Sequence, residues 1–333
     1  MNCVIFGAGA WGTAMAIHLA RQGQTVTLVP RRLEHALSLA SSRENTDYLP
    51  GHRLDESIQI GLEPGPALMD ADVIFLACPS KGLPDLLRQI GPSVRDSSAI
   101  MAVSLCKGLD QTTLLRPTEL MAQAFGAIPV ATLSGPSNAA EVARGLPTAL
   151  VLAAERDDET LRTVQAAVSG PTLRAYTSSD LAGVEIGGTL KNVYAVGAGL
   201  CDGLKLGDNA KAAVLSRALQ EMMRLGVALG GRAETFLGLG GVGDLMATAH
   251  GSWSRNRTLG EQIAKDPQAT LAALAHRREA VEGHRATETL TRLAKQRGVQ
   301  APILFCLHEI LYHGLDPAAG VTALMTRDLK PEA

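Results

Sequence analysis

The chain carries almost no net charge: 31 lysines and arginines face 33 aspartates and glutamates, a formal charge of −2. So balanced a composition makes no long-range field for nucleic acid or an anionic bilayer, so nucleic acid is not an expected partner and any anion site must be local. Cysteine is scarce as well. The five thiols, Cys3, Cys78, Cys106, Cys201 and Cys306, are odd in number and scattered, which argues against a disulfide framework or a zinc knuckle and fits a reducing, cytoplasmic setting. Long apolar runs are missing too. Even the uncharged stretch 120–140 is broken by Gln123, Pro129, Ser134, Pro136 and Asn138, so no integral membrane segment is expected. No basic leader precedes the apolar run that follows Met1, and no targeting segment is expected. The eight histidines lack zinc-ligand spacing: His308 and His313, five apart, are expected on different helix faces, and no metal is predicted. There is no internal repeat or low-complexity tract.

Core material, by contrast, is plentiful, with 46% of the 333 residues hydrophobic. That length exceeds the size at which single cores stop growing, about 250–300 residues, so two domains are expected. The first half alternates β-branched runs with helix-period segments, the pattern of a parallel sheet flanked by helices. Strands are predicted near 3–6, 25–29, 72–77, 99–103, 130–133 and 148–153, with a last one at 172–176. Helices are predicted at 12–21, 33–41, 83–90, 112–124 and 138–144. From about Ser179 nearly everything reads as helix, broken at 238–243 and at Pro267, Pro302 and Pro317. The reading is an α/β, Rossmann-type parallel-sheet domain over 1–178 followed by an all-α domain over 179–333. Within the latter, 185–201 is apolar or small despite Gly187, Gly188, Gly197 and Gly199, each costing about 1 kcal/mol in a helix. That suggests a buried central helix closely approached by others, with a single lysine, Lys191, in its middle.

Gly7-Ala8-Gly9-Ala10-Trp11-Gly12 lies between the first strand and the first helix. There the glycines of a dinucleotide site serve a tight turn, backbone access for a pyrophosphate and close helix-to-strand packing, so Gly7, Gly9 and Gly12 are expected to bind cofactor. An NAD site normally places an acid after the second strand, about 20 residues on. Here that position reads Val29-Pro30-Arg31-Arg32. Two guanidinium groups suit a 2′-phosphate, so NADP(H) is favoured with NAD(H) possible; the alternative is a solvated basic pair with Glu34 as a displaced acid.

Four further segments set polar groups in apolar or glycine-rich surroundings: Lys107-Gly108-Leu109, Ser134-Gly135-Pro136-Ser137, Lys191-Asn192, and the turn 240–244 with Ser254-Arg255-Asn256-Arg257. Singly, each has an ordinary explanation as a turn, a snorkelling lysine or a surface helix start. Together with Gly7–Ala14, Cys106–Leu109, Gly145–Ala149, Leu190–Val193, Asp208–Ala213, Val242–Leu245 and Val281–Gly283, they closely resemble the bacterial-type NAD(P)-dependent glycerol-3-phosphate dehydrogenases, in order and spacing, over essentially the whole chain. The resemblance implies an enzyme that interconverts dihydroxyacetone phosphate and sn-glycerol 3-phosphate by hydride transfer and supplies the glycerophospholipid backbone. It implies that Trp11, Arg31, Arg32, Ala139, Val281 and Glu282 line the cofactor and that Lys107 and Arg255 touch both cofactor and substrate. Gly135, Ser137, Asp244, Ser254 and Asn256 would hold the substrate, and Lys191 would be the acid/base residue.

The physical reading agrees at two points. Ser254 looks like an N-cap, so that backbone N–H groups, the Arg255 fork and the Asn256 amide converge on a phosphate. A lysine in an apolar helix loses the hydration that keeps its pKa high, and Asp244 is the partner expected to orient it. The sequence departs from the family pattern at Cys78, Asn138, Ala140, Lys205 and Leu206, which leaves the pocket shape open. A β-hydroxyacid or 6-phosphogluconate type dehydrogenase and a non-catalytic NAD(P)H-sensing module are the alternatives. The small-residue helix and the family together suggest a homodimer.

Overall fold

Cys3 to Phe6 are apolar on both faces, as strands buried inside a parallel sheet must be, and with Asn2 they form β1 (Asn2–Phe6). The computed structural model describes residues 1–274, 281–329 and 331. Its chain divides into two compact units, Met1–Glu185 and Ile186–Ala333.

In the first unit β1 leads into α1 (Ala10–Arg21), β2 (Thr25–Val29), α2 (Leu33–Ser42), β3 (Gln59–Ile60), α3 (Pro64–Leu68) and β4 (Val73–Leu76). The second half continues through α4 (Leu83–Arg95), β5 (Met101–Ser104), α5 (Pro117–Phe125), β6 (Val130–Ser134), α6 (Ala139–Arg144), β7 (Thr148–Ala154), α7 (Glu159–Val168) and β8 (Leu173–Ser178). The eight strands lie in the order β3-β2-β1-β4-β5-β6-β7-β8, so the direction of winding reverses between β1 and β4. In such sheets ligands bind beyond the carboxyl ends of the strands at that reversal.

One pair departs from the expected parallel sheet: β7 runs antiparallel to β6, with Ser134 opposite Val151. The connecting α6 has six residues and rises only about 9 Å, against about 17 Å for a five-residue strand, too little to return the chain to the start of β6. Sequence reading also missed β3, α3 and α7, and began α5 too early. Asp110 is the cause of the last: its carboxylate accepts the N–H groups of Thr112 and Thr113, holding a turn, and the helix starts only at Pro117, where Glu119 accepts the Arg116 N–H.

The second unit is helical. The chain enters it within α8 (Leu181–Gly203), followed by α9 (Gly207–Ala228), α10 (Ala233–Phe236), a π-turn over Leu239–Gly243 and α11 (Asp244–His250). Then come α12 (Arg255–Lys265), α13 (Pro267–Leu274), α14 (Glu282–Gln296), α15 (Pro302–His313) and α16 (Pro317–Met325). The glycines of α8 do what their cost implied. A Cβ on Gly187 would stand 2.2 Å from the Gly240 carbonyl oxygen, and one on Gly199 only 1.9 Å from that of Arg257. Bare backbone thus lets the π-turn and α12 press against α8. Glu221, fully buried, accepts the N–H groups of Ile303 and Leu304 at the start of α15 and the Tyr194 hydroxyl; burial pushes its carboxyl up.

The expectation about His308 and His313 does not hold. Their ring centroids are 5.0 Å apart, and each of His308, Glu309 and His313 offers an atom within 4.8 Å of the others. His313 is the last residue of α15, and helical side chains lean back over the preceding turn.

Candidate active site

The glycines after β1 meet three different demands. Gly7 has φ +107°, and a Cβ there would lie 2.5 Å from the Ala77 carbonyl oxygen; at Gly12 it would meet the Gly7 carbonyl at 2.0 Å and the Ala77 side chain at 2.9 Å. These two are glycine because the turn and the packing of α1 on the sheet require it. Gly9 is under no such pressure: its backbone is extended, with φ −75° and ψ −177°, and a Cβ would touch nothing within 4 Å. It is the N-cap of α1, whose first-turn N–H groups have no intrahelical acceptor. The cradle fits a pyrophosphate. Trp11, in the same turn, is half-buried and its indole N–H has no hydrogen-bond partner among the described residues.

Arg31 and Arg32 follow β2 as exposed residues, Arg32 being the N-cap of α2, and neither side chain makes an ion pair or hydrogen bond among the described residues. After β5, Lys107 donates to the Gly135 carbonyl at 2.8 Å and to Ser137 Oγ at 2.9 Å. Gly135 has φ +128°, a region that disfavours any side chain. Ala139 opens α6, and Asn138 caps that helix by accepting the Glu141 N–H. The first unit thus groups Lys107, Gly135 and Ser137, and brings Ala77 against Gly7 and Gly12.

In the second unit Lys191 is 6% exposed and Asp244 wholly buried, and their Nζ and Oδ1 atoms are 3.0 Å apart. Lys191 Nζ also donates to Thr248 Oγ1 at 2.7 Å, and Thr248 donates to the Asp244 carbonyl at 2.7 Å. Thr248 is a residue that sequence reasoning missed. It follows Asp244 by one helical turn on α11, a spacing too common in helices to stand out.

Ser254 is the N-cap anticipated for α12, its hydroxyl accepting the Arg257 N–H at 3.2 Å, and Arg255 follows as an exposed residue. Asn256 turns inward. Its Nδ2 donates to Asn192 Oδ1 at 2.8 Å and its Oδ1 accepts the Gly283 N–H at 2.9 Å, which leaves one amide hydrogen for a ligand. Asn256 therefore ties α8 to the start of α14, where Val281 is the buried N-cap and Glu282 the first helical residue. A Cβ on Gly283 would stand 2.5 Å from the Asn192 carbonyl oxygen. Arg257 belongs to another network, paired with Asp202 at 2.7 Å and with Glu261. Burial acts against the Asp202 carboxylate, yet hydrogen bonds from Lys211 and Arg257 hold its pKa below the ordinary range.

Residues 2–160 match the model of the NAD-dependent glycerol-3-phosphate dehydrogenase N-terminus and 180–322 that of the C-terminus of the same family. The chain is 45% identical to a glycerol-3-phosphate dehydrogenase [NAD(P)+] of Thermus thermophilus, with all of both chains covered. It is 42% identical to one from Janthinobacterium sp., covering 100% of this chain and 99% of that one. The crystal structure of glycerol-3-phosphate dehydrogenase from Coxiella burnetii aligns with a TM-score of 0.90 at 35% identity, over 98% of each chain.

Proposed function

From the chain's membership of the NAD-dependent glycerol-3-phosphate dehydrogenase family, two-domain enzymes that interconvert dihydroxyacetone phosphate and sn-glycerol 3-phosphate with NAD(P)(H), we infer the roles of its residues. When bound, the nicotinamide supplies the hydride. Gly7, Gly9 and Gly12 with the start of α1 bind the pyrophosphate, and Trp11, Ala139, Val281 and Glu282 line the cofactor. Lys107, itself held by Gly135 and Ser137, and Arg255 serve cofactor and substrate together. Ser254 and Asn256 complete the hold on the phosphate at the start of α12.

Lys191 is the acid. As the ketone carbon is reduced, its Nζ gives a proton to the oxygen that would otherwise become an alkoxide. Asp244 and Thr248 point the ammonium. The observation that carries the reading is this buried trio, with Nζ 3.0 Å from a carboxylate and 2.7 Å from a hydroxyl. It is tested by following loss of reduced-nicotinamide absorbance with dihydroxyacetone phosphate against a panel of β-hydroxyacids and 6-phosphogluconate. Activity confined to the panel, or none at all, would favour the sister dehydrogenase or the sensing module, which the family matches do not favour.

Because a Cβ at Gly9 would meet nothing within 4 Å among the described residues, Gly9→Val is expected to fold, with a melting temperature lowered only slightly by a poorer N-cap, yet lose NADPH binding by about tenfold or more, the scale of losing backbone contacts to a charged group. Retained affinity in titrations of the folded variant would remove the pyrophosphate from this turn.

NADP(H) is the preferred cofactor in this reading, on the support of two arginine side chains that pair with nothing among the described residues where an acid usually stands. Arg31→Ala/Arg32→Ala is expected to weaken NADPH binding about tenfold to a hundredfold and NADH binding little, as loss of charge-assisted bonds to one phosphate implies. Equal losses for both cofactors would sink the assignment. A cytoplasmic homodimer is proposed with it. The glycine face of α8 that suggested a dimer is filled by Gly240 and Arg257 of the chain itself, so the dimer rests on the family alone.

A further inference from the structure

Strands β4 and β5 end side by side. Leu76 stands opposite Ser104 in their parallel register, and two residues further along each chain come Cys78 and Cys106. Opposite residues of adjacent strands turn to the same face, and the thiols follow suit: their Sγ atoms are 3.9 Å apart. Cys106 is buried, its S–H donating to the Cys78 carbonyl at 3.0 Å, whereas Cys78 is half-buried. Burial pushes the thiols of Cys3 and Cys306 up to about 12 and about 11 and raises that of Cys201, so these three are poor nucleophiles.

What lies on either side of the pair gives it a consequence. Ala77, immediately before Cys78, is the residue against which Gly7 and Gly12 pack. Lys107, immediately after Cys106, holds Gly135 and Ser137. We propose that Cys78 and Cys106 form a reversible disulfide, made by a peroxide and opened by a dithiol, that weakens cofactor binding at the glycine turn.

The half-buried Cys78 sulfur, as thiolate, attacks a peroxide oxygen; the O–O bond breaks, one oxygen leaves as water and Cys78 becomes a sulfenic acid. The Cys106 sulfur then attacks that sulfur, the S–O bond breaks, and the hydroxyl departs with the thiol proton as a second water. Two electrons pass from the two thiols to the peroxide. The sulfurs close from 3.9 Å to the bonded distance of about 2.05 Å, and Cys106 loses the hydrogen it donated to the Cys78 carbonyl. Both movements pull on residues adjacent in the chain to Ala77 and Lys107.

Bond formation stands independently of the proposed function, whereas the effect on binding rests on the dinucleotide's place at the glycine turn, which Gly9→Val tests separately on the reduced enzyme. The full-length enzyme is treated with hydrogen peroxide, alkylated and digested, and NADPH affinity is titrated in parallel. A linked peptide pair containing Cys78 and Cys106 is expected, with NADPH affinity lowered about tenfold and restored by dithiothreitol, a coupling of ordinary size. By linkage, saturating NADPH must shift the dithiol–disulfide equilibrium in a glutathione buffer by the same tenfold factor, about 30 mV. Cys78→Val is expected to keep its NADPH affinity through peroxide treatment; Cys78→Ala serves the same purpose should valine strain the turn. Five thiols still open to alkylation, a linked pair with unchanged affinity, or equal loss in the Cys78 variants would each overturn the proposal.

Discussion

Arg255→Ala is expected to raise KM for dihydroxyacetone phosphate about tenfold to a hundredfold, the scale of one charge-assisted bond to a phosphate. The residue sits at the first position of α12, one step past an N-cap whose hydroxyl is engaged by the Arg257 N–H. Ser254 Oγ caps the helix as an acceptor and keeps its own hydrogen, and Asn256, tied to Asn192 and Gly283, keeps one amide hydrogen. Arg255 is the exposed cation of the Ser-Arg-Asn-Arg segment, and Arg257 pairs with Asp202 and Glu261. The control is unphosphorylated dihydroxyacetone. A variant that lost as much activity on that substrate as on the phosphate ester would place Arg255 elsewhere than at the phosphate. Arg255→Lys should recover only part of the loss, since an ammonium keeps the charge without the two-pronged geometry.

That segment also marks how far the sequence alone reaches. Its N-cap was readable, because serine before a helical run answers a local demand for an acceptor. The inward turn of Asn256 was not, since its partners lie 64 and 27 residues away in the chain. The same division runs through the fold. β1 and β2 are legible from short apolar and β-branched runs, while β3 is only two residues long and neither is buried. α5 was misplaced by a single aspartate whose carboxylate collects two backbone N–H groups. The glycines of α8 are legible as points of close approach, but what approaches is not: the Gly240 and Arg257 backbones come from sequence positions more than fifty residues on. Lys191 and Asp244 were legible for a different reason. A charge inside an apolar run must find a partner, and Asp244, on a glycine-rich turn, is the partner the sequence leads one to expect.

Lys191→Ala is expected to fold, to bind NADPH with near-normal affinity, and to lose about two orders of magnitude or more in kcat, the usual scale for removing a general acid. The competing role for Lys191 is a purely structural ion pair with Asp244. Geometry alone does not separate the two, because a 3.0 Å contact between side chains 7% and 1% exposed serves either. Energetics does. Two charges brought out of water gain little net stability from each other, while removing one partner costs about 3–5 kcal/mol because the other is left buried and unpaired. Lys191→Ala by itself therefore mixes a chemical effect with a structural one, and the informative companion is Lys191→Met/Asp244→Asn. That pair has neither charge, keeps the volume of both side chains, and leaves Asp244's position able to accept from Thr248 Oγ1, now 3.3 Å away. Were the pair structural, the double variant would recover both the melting temperature and the turnover that Lys191→Ala lost. With Lys191 as the acid, it recovers stability alone: thermal unfolding returns towards that of the parent, NADPH still titrates normally, and dihydroxyacetone phosphate is still reduced at least about a hundredfold more slowly, because no group is left at that point to hand a proton to the developing alkoxide. A folded double variant turning over at near the parent rate would end the catalytic assignment.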